Sequence, residues 1–278
     1  MNYRGFSKEE LALEYSPSSM VGGDLTPYLE AYAALSEKAR AELPAQENLA
    51  YGSGPTHLLD FFPAKTNDAP LHVFIHGGYW QALSQREAAN MAPAIVANGS
   101  AFATLNYTLA PDAQLGQMVD ECRDALLWLA FQARELCFDP SRVTLSGHSA
   151  GAHLVAMVLA LYGDQLADAG MTVTDQILIS GVFDLEPIAQ TPVNDPLQLT
   201  AEDFDKLSPI HHLPPENTRT RVTVGERDTA EFIRQSREYA EILRKGGRDV
   251  SFDLQMGRHH FDIVLHGATF RASADDTE

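Results

Sequence analysis

The stretch from residue 142 to residue 163, RVTLSGHSAGAHLVAMVLALYG, constrains the fold more than any other part of the chain. An apolar run typical of a buried strand comes first, and a longer apolar run typical of a helix follows it. Between the two runs, Gly147, Ser149 and Gly151 form the pattern G-x-S-x-G. Because glycine turns sharply without a Cβ clash, the stretch predicts a strand, a tight turn that exposes the Ser149 hydroxyl, and a helix. Taken alone, the pattern is also compatible with an ordinary tight connection.

Elsewhere in the chain, short apolar runs alternate with segments of helical periodicity. Strands are expected at 57–63, 71–78, 100–107, 142–147, 175–181, 218–225 and 249–255. Helices are expected at 86–99, 115–137, 150–162 and 229–245, with a short last helix from about residue 261, and the first fifty residues are expected to be mainly helical. This alternation predicts an α/β protein with a mainly parallel central sheet and helices on both of its faces.

Two segments depart from the alternating pattern. Residues 184–217 are rich in proline and acidic residues and follow an expected strand, so they are expected to form a small lid insertion over the ligand-binding edge of the sheet. The tail from 271 to 278 is polar and is expected to be disordered. We therefore expect one domain over residues 1–278, with an N-terminal helical segment at 1–50.

The composition of the chain limits the kinds of binding partner and the cellular compartment that we expect. The formal net charge of −18 argues against binding to nucleic acid, whose phosphates would be repelled. No run of 18 or more apolar residues occurs, so no membrane-spanning helix is expected. Cys122 and Cys137 lie in or at the end of one expected helix, too far apart to form a disulfide with each other, and are expected to be reduced and buried. Together with a polar N-terminal stretch, these features predict a cytoplasmic protein without a membrane partner.

The histidines near the C-terminus supply a candidate base for Ser149. A serine hydroxyl is a weak nucleophile until a neighbouring base takes its proton. The loop QMGRHHFD follows the last expected strand, where a side chain would face the G-x-S-x-G turn across the sheet edge. His259 and His260 are both candidates, and His260 is favoured because it directly precedes the expected last helix.

An acidic residue is needed to orient that base. Asp228 follows the expected strand at 218–225 and precedes a helix, so it lies at the same sheet edge. The chain order Ser149, Asp228, His260 is the order Ser, Asp, His that one class of hydrolases uses. Rival acidic residues are Glu226, Glu231 and the more distant Asp184.

The segment HGGYW at 76–80 follows a buried strand and offers backbone donors. A developing oxyanion needs N–H groups that are already in place, and glycine permits their close approach to the substrate. The expected donors are the N–H groups of Gly78, Tyr79 and Ala150, although a simple glycine turn is also compatible with the segment. His76 and Trp80 are candidate substrate contacts, and Trp80 is equally suited to packing. The chain has no H-E-x-x-H pattern, no zinc-type cysteine pair and no glycine-rich phosphate loop, so we expect no metal and no cofactor.

Seven motifs carry a more specific resemblance: EYSPSS, HGGYWQ, NYTLAP, LGQMVD, SGHSAGAHLVAMVL, SGVFDLEPI and GERDTAEFIRQS. Together they resemble the kynurenine formamidase (arylformamidase) family of serine hydrolases. The G-x-S-x-G turn, the HGGYW donors and the order Ser149, Asp228, His260 resemble the α/β-hydrolase fold over about residues 50–270. The resemblance implies hydrolysis of N-formyl-L-kynurenine to L-kynurenine and formate through an acyl-serine intermediate. It also implies that Ser149, Asp228 and His260 form the triad and that HGGYW forms the oxyanion hole.

Two other functions stay open from the sequence. A carboxylesterase acting on small aryl or short-chain esters would use the same residues, and a non-catalytic binding protein could retain the same fold. The expected partner in either enzyme is a small aryl formamide or ester. The sequence leaves the formation of a homodimer open.

Overall fold

The structure, a computed structural model, describes residues 3–265 and is built around an eight-stranded sheet. The strands are β1 (Gln46–Ala50), β2 (Leu58–Phe62), β3 (Ala69–Ile75), β4 (Ala101–Leu105), β5 (Phe138–His148), β6 (Val173–Ile179), β7 (Arg219–Gly225) and β8 (Val250–Gln255). Their spatial order is β1-β2-β4-β3-β5-β6-β7-β8. The pairings of β1 with β2 and of β2 with β4 are antiparallel, whereas all pairings from β4 to β8 are parallel. The predicted mainly parallel sheet is confirmed.

Helices connect the strands. They are α1 (Lys8–Glu14), α2 (Thr26–Glu42), α3 (Ala92–Ala97), α4 (Leu115–Gln132), α5 (Ala150–Asp168), α6 (Asn194–Leu197), α7 (Ala201–Leu207) and α8 (Ala230–Lys245). Short 3-10 turns are added at Tyr3–Gly5, Pro17–Val21, Gln85–Glu87, Ile188–Gln190 and Pro209–His211. The segment at 184–217 therefore contains α6, α7 and two of these turns.

Two hydrophobic cores lie on opposite faces of the sheet. Side chains alternate along a strand, so Leu71 and Val73 of β3 join one core while Phe74 joins the other. The core with Leu71 and Val73 also contains the apolar faces of α4, α5 and α8. The core with Phe74 contains residues of α2 and α3. The sheet therefore has helices on both of its faces, as the sequence predicted.

Helix α5 is long and apolar enough to cross a membrane by length and composition. Most of it is buried inside the protein, where it packs on β5 and α4. A core helix of this kind passes the same length and composition test.

Several local expectations are wrong, each for a physical reason. Residues 46–50 form β1 instead of a helix, because they pair antiparallel with β2. The helix expected over 86–99 is only α3, since Pro93 is tolerated in the first helical turn but not in the interior. Residues 261–265 form turns without a helix, and the remainder of the expected last helix and the tail at 271–278 lie outside the described residues.

The two cysteines differ in exposure. Cys122 is buried in α4, as expected, whereas Cys137 is exposed. Cys137 lies after the end of α4 and has a φ of 58°. The chain therefore leaves the helical path before this residue, and the expectation that the Cys137 thiol is buried is wrong.

Two buried histidines make the stability of the fold depend on pH. Burial lowers the pKa of His72 and the pKa of His153 to about 4 in the folded protein. In the unfolded chain a histidine pKa is about 6.5, so protons bind to the unfolded state first as the pH falls. The stability that neutral burial provides is therefore present above about pH 6.5 and is lost between that value and about pH 4.

We expect the variant His153→Gln to lose less stability than the wild type when the pH is lowered. Glutamine keeps an N–H donor for the carbonyl of Leu207, which the Nε2 atom of His153 contacts at 2.7 Å, but it does not titrate. Between pH 7 and pH 5, the loss in the free energy of unfolding should be smaller in the variant by about 2 kcal/mol. Urea unfolding at the two pH values measures this difference, and equal losses in both proteins would contradict it.

Candidate active site

Ser149 lies in the tight turn between β5 and α5. Its backbone has φ 55° and ψ −118°, a conformation that non-glycine residues rarely adopt and that surrounding structure must hold in place. A Cβ atom on Gly147 would lie 2.3 Å from the carbonyl oxygen of Gly151, and one on Gly151 would lie 2.0 Å from the carbonyl oxygen of Ile75. Only glycine fits at either position, so the predicted strand, turn and helix are present for the reason that the sequence suggested.

We expect Gly147→Ala to destabilise the fold by about 3 kcal/mol or more, because its Cβ would press on a backbone carbonyl that no side-chain rotation can move. Gly116→Ala is the matched control. Gly116 lies in α4, where an added Cβ would meet only a methyl of Leu207 at 3.9 Å, so stability should stay within about 1 kcal/mol of the wild type. Chemical unfolding compares the two variants, and equal stabilities would show that the turn tolerates a side chain.

The side chains of Asp228 and His260 meet beside this turn. Asp228 follows β7, and His260 follows β8. The Nδ1 atom of His260 lies 3.1 Å from both carboxylate oxygens of Asp228. Because a carboxylate only accepts, Nδ1 carries a proton, and in the neutral ring the lone pair is therefore on Nε2. The side chains are 5% and 0% exposed, so water barely competes for the contact.

Aromatic rings enclose the imidazole of His260. The ring centroids of His148 and Phe232 each lie 4.7 Å from that of His260. The Nε2 atom of His148 contacts the carbonyl oxygen of His260 at 2.8 Å, so Nε2 of His148 carries a proton. Burial, together with the neighbouring His260, lowers the pKa of His148 well below its ordinary value. His148 is therefore a neutral neighbour that packs against the candidate base.

The rival residues have other partners. The Nδ1 atom of His259 accepts from the N–H groups of Phe261 and Asp262, and its Nε2 atom lies 3.7 Å from the Asp262 carboxylate. Among the rival acids, Glu231 pairs with Arg234. The other two, Glu226 and Asp184, accept from the N–H of Gly257 and the hydroxyl of Tyr3 respectively. Of the four acidic candidates, Asp228 is the one that the structure brings to His260.

The segment at 76–80 packs directly on the Ser149 turn. A Cβ atom on Gly77 would lie 2.8 Å from the carbonyl oxygen of His148. Gly78, Tyr79 and Trp80 have positive φ values of 98°, 52° and 60°. Within residues 3–265, the N–H groups of Gly78, Tyr79 and Ala150 donate no hydrogen bond to another part of the chain. Ala150 is the first residue of α5, and the free N–H groups at a helix start favour negative charge.

His76 and Trp80 do not lie where the sequence analysis expected them. The ring of His76 is buried, stacks on Tyr107 with centroids 4.5 Å apart, and contacts the amide oxygen of Asn106. Trp80 is fully buried and packs edge-on against His153. Neither side chain lines the cleft beside Ser149. The expected substrate contact of His76 is therefore corrected, and of the two roles left open for Trp80 the structure shows packing.

A cleft of about 810 Å³ opens above Ser149, His260, Gly78 and Tyr79. The N-terminal segment between residues 9 and 32 supplies more of its lining than any other part of the chain: Glu9, Ala12, Leu13, Tyr15, Ser16, Pro17, Ser18, Leu25, Leu29 and Tyr32. From the segment at 184–217, only Thr191, Pro192 and Val193 reach the cleft. The expected lid thus contributes less than the N-terminal segment, which the sequence analysis described only as helical. The one signal for this role was the EYSPSS motif at 14–19.

Metal binding finds no support in the part of the chain that the structure describes. Within residues 3–265, no group of three or more histidine, cysteine, aspartate or glutamate side chains is arranged to hold an ion.

Comparisons with known proteins identify the family of the chain. The BD-FAE family model matches residues 59–243. Kynurenine formamidase of Danio rerio is 34% identical over 95% of this chain and 92% of its own length. The Drosophila melanogaster enzyme of the same name is 35% identical over 78% of this chain and 75% of its own length.

Solved structures show the same fold. A protein described as a thioesterase, from Silicibacter sp., superposes with a TM-score of 0.83 at 27% identity, over 95% of this chain and 97% of its own. Esterase B of Lactobacillus rhamnosis superposes with a TM-score of 0.70 at 18% identity, over 91% and 92% of the two chains. The expected α/β-hydrolase fold is confirmed, and the chain is a hydrolase of formamides or esters. It belongs to the kynurenine formamidase family.

Proposed function

We propose that this chain hydrolyses N-formyl-L-kynurenine to L-kynurenine and formate, with Ser149, His260 and Asp228 as its catalytic triad. The observation that carries the proposal is the contact between His260 and Asp228, formed at the wall of the same cleft into which the strained Ser149 turn opens. The relatives named kynurenine formamidase support the substrate.

The proposed reaction has two steps. In the first, Nε2 of His260 takes the Ser149 proton while the serine oxygen attacks the formyl carbon. The N–H groups of Gly78, Tyr79 and Ala150 stabilise the oxyanion, and the imidazolium of His260 gives its proton to the leaving arylamine nitrogen. In the second step, water attacks the formyl-serine ester with His260 again as base, and formate and free Ser149 are released. Asp228 stabilises the imidazolium in both steps.

The cleft fits an aromatic leaving group. Its lining is mainly apolar and includes the rings of Tyr15, Tyr32 and Phe261. A cavity of this size is large enough for a substrate that has one aryl ring and an amino acid group. We further propose that the partner is this small molecule, that the enzyme acts in the cytoplasm, and that it needs no metal or cofactor, nucleic acid or membrane.

Carboxylesterase activity is the second candidate. It is favoured by the structural neighbours named as esterases, which include esterase B and an arylesterase. The same three residues would attack an ester carbonyl in place of a formamide, with an alcohol or phenol as the leaving group.

Steady-state kinetics with two substrates separate the candidates. For a formamidase, kcat/KM for N-formyl-L-kynurenine should exceed that for p-nitrophenyl acetate by about 100-fold or more, because the remote parts of its own substrate contribute binding energy in the transition state. Turnover of the ester with no release of kynurenine would reject the formamidase proposal and favour the esterase. Turnover of neither substrate would point to a non-catalytic protein.

A further inference from the structure

The end of α1 lies between the two loops that carry the candidate catalytic groups. The last carbonyls of a helix have no partner within the helix and need donors from elsewhere. Two carbonyls at the end of α1 concern the site: that of its last residue, Glu14, and that of the capping residue, Tyr15. The carbonyl oxygen of Glu14 accepts from the hydroxyl of Thr229 at 2.6 Å. The carbonyl oxygen of Tyr15 accepts from the hydroxyl of Tyr79, also at 2.6 Å.

Each of the two hydroxyls belongs to a catalytic loop. Thr229 directly follows Asp228, and its N–H lies 3.3 Å from the Asp228 carboxylate. Tyr79 contributes one of the proposed oxyanion donors through its own N–H. Two successive carbonyls of one helix end therefore hold the acid loop on one side and the oxyanion loop on the other.

The same helix end is itself fixed by buried contacts. The hydroxyl of Tyr15 donates to the carboxylate of Glu231 at 2.9 Å and accepts from the amide of Gln235 at 2.6 Å. The carboxylate of Glu14 accepts from the N–H of Glu231 at 3.1 Å. Since Glu231 and Gln235 belong to α8, the α1 end is fastened to the helix that begins directly after the acid loop.

The oxyanion loop needs such a restraint. Gly78, Tyr79 and Trp80 are three successive residues with positive φ, and each non-glycine residue in this region costs free energy that the surroundings must offset. Donors in an oxyanion hole are effective only when they are fixed before the charge develops. The hydroxyl contact of Tyr79, the central residue of the strained run, supplies this restraint at a residue that lines the cleft and whose N–H is a proposed oxyanion donor.

We propose that Thr229 and Tyr79 are positioning residues, whose hydroxyls fasten the acid loop and the oxyanion loop to the end of α1 and so set the distance between the two halves of the catalytic site. Loss of either contact allows one of the two loops to move. A displacement of its catalytic group by about 1 Å lowers the rate by up to about 100-fold. The N-terminal segment is then part of the catalytic framework as well as a wall of the cleft. The inference rests on the proposed function of Ser149, Asp228 and His260.

The test replaces each hydroxyl alone. Thr229→Val and Tyr79→Phe keep the size of the side chain and remove the donor. We expect kcat to fall about tenfold in each, with KM within about twofold of the wild type, since substrate contacts are kept and alignment is lost. Thr229→Ser restores a hydroxyl and should return kcat to within about twofold of the wild type.

Tyr3→Phe is the matched control. It removes a hydroxyl from the same N-terminal segment, one that donates to Asp184 at 2.6 Å and contacts neither catalytic loop. Its kcat should match the wild type, and thermal unfolding of all variants separates a loss of alignment from a loss of folded protein. The inference is overturned if Thr229→Val or Tyr79→Phe keeps wild-type kcat, if Thr229→Ser fails to restore it, or if Tyr3→Phe loses as much.

Both substrates are used in these assays, so that an error in the substrate assignment does not affect the result. Failure of the proposed function would appear as activity retained in Ser149→Ala. Failure of the present inference would appear as unchanged kcat in the hydroxyl variants while Ser149→Ala is inactive.

Discussion

Replacing Ser149 by alanine is expected to lower kcat/KM for N-formyl-L-kynurenine by about 10,000-fold or more. In the proposed mechanism the serine oxygen forms the bond to the formyl carbon, and alanine offers no atom that could form it. The substitution keeps Cβ, so the backbone strain at φ 55° and the packing of the turn are unchanged. Initial rates of kynurenine release measure the effect, and thermal unfolding should give a melting temperature close to that of the wild type.

Ser141→Ala is the control for this prediction. Ser141 lies in β5, the strand that leads to Ser149, but in the exposed first half of that strand. Its hydroxyl contacts only Asp139 within the described chain. Its kcat/KM should equal that of the wild type. Retention of a tenth or more of the rate in Ser149→Ala would remove Ser149 from the role of nucleophile.

Replacing Asp228 by asparagine is expected to lower kcat by about 1,000-fold or more. The carboxylate accepts the Nδ1 proton of His260 at 3.1 Å and leaves the opposite nitrogen free to act as base. An asparagine of the same shape offers an N–H group to Nδ1, which favours the wrong tautomer and no longer stabilises the imidazolium. Because Asp228 is buried, the geometry should survive while the charge is lost.

Asp184→Asn is the matched control for Asp228→Asn. Asp184 was a rival acid from the sequence, and in the structure it accepts from the hydroxyl of Tyr3 instead of from a histidine. Its kcat should stay within about threefold of the wild type, since the Asp184 carboxylate accepts from the Tyr3 hydroxyl and the N–H of Glu186, and neither donor belongs to a catalytic loop. An equal loss in both variants would contradict the prediction, because it would mean that the activity does not depend on the contact between Asp228 and His260 in particular.

Features that depend on neighbouring residues were predictable from the sequence. The pattern Gly147, Ser149, Gly151 predicted the turn because the steric requirement for glycine lies within a few residues of the serine. The pairing of His260 with Asp228 followed from a simple rule: loops after parallel strands meet at one sheet edge.

Features that depend on how distant segments dock were not predictable in this way. Helical periodicity shows that α1 and α2 form, but it does not show that the segment around them walls the cleft. The side chains of His76 and Trp80 are buried away from the cleft, and the motif HGGYW does not reveal this because burial depends on the segments that pack around the loop. The hydroxyl contacts of Thr229 and Tyr79 with the α1 end likewise join residues far apart in the chain.

The central claim is that Ser149 is the nucleophile of this hydrolase, and covalent labelling tests it most directly. The wild-type protein and Ser149→Ala are treated with an organophosphorus probe that reacts with activated serines, and the adduct is located by mass spectrometry of peptides. The account predicts one adduct per wild-type chain, on Ser149, that appears as activity is lost, and no adduct on the variant. An adduct on another residue, or complete loss of activity with Ser149 unlabelled, would contradict it.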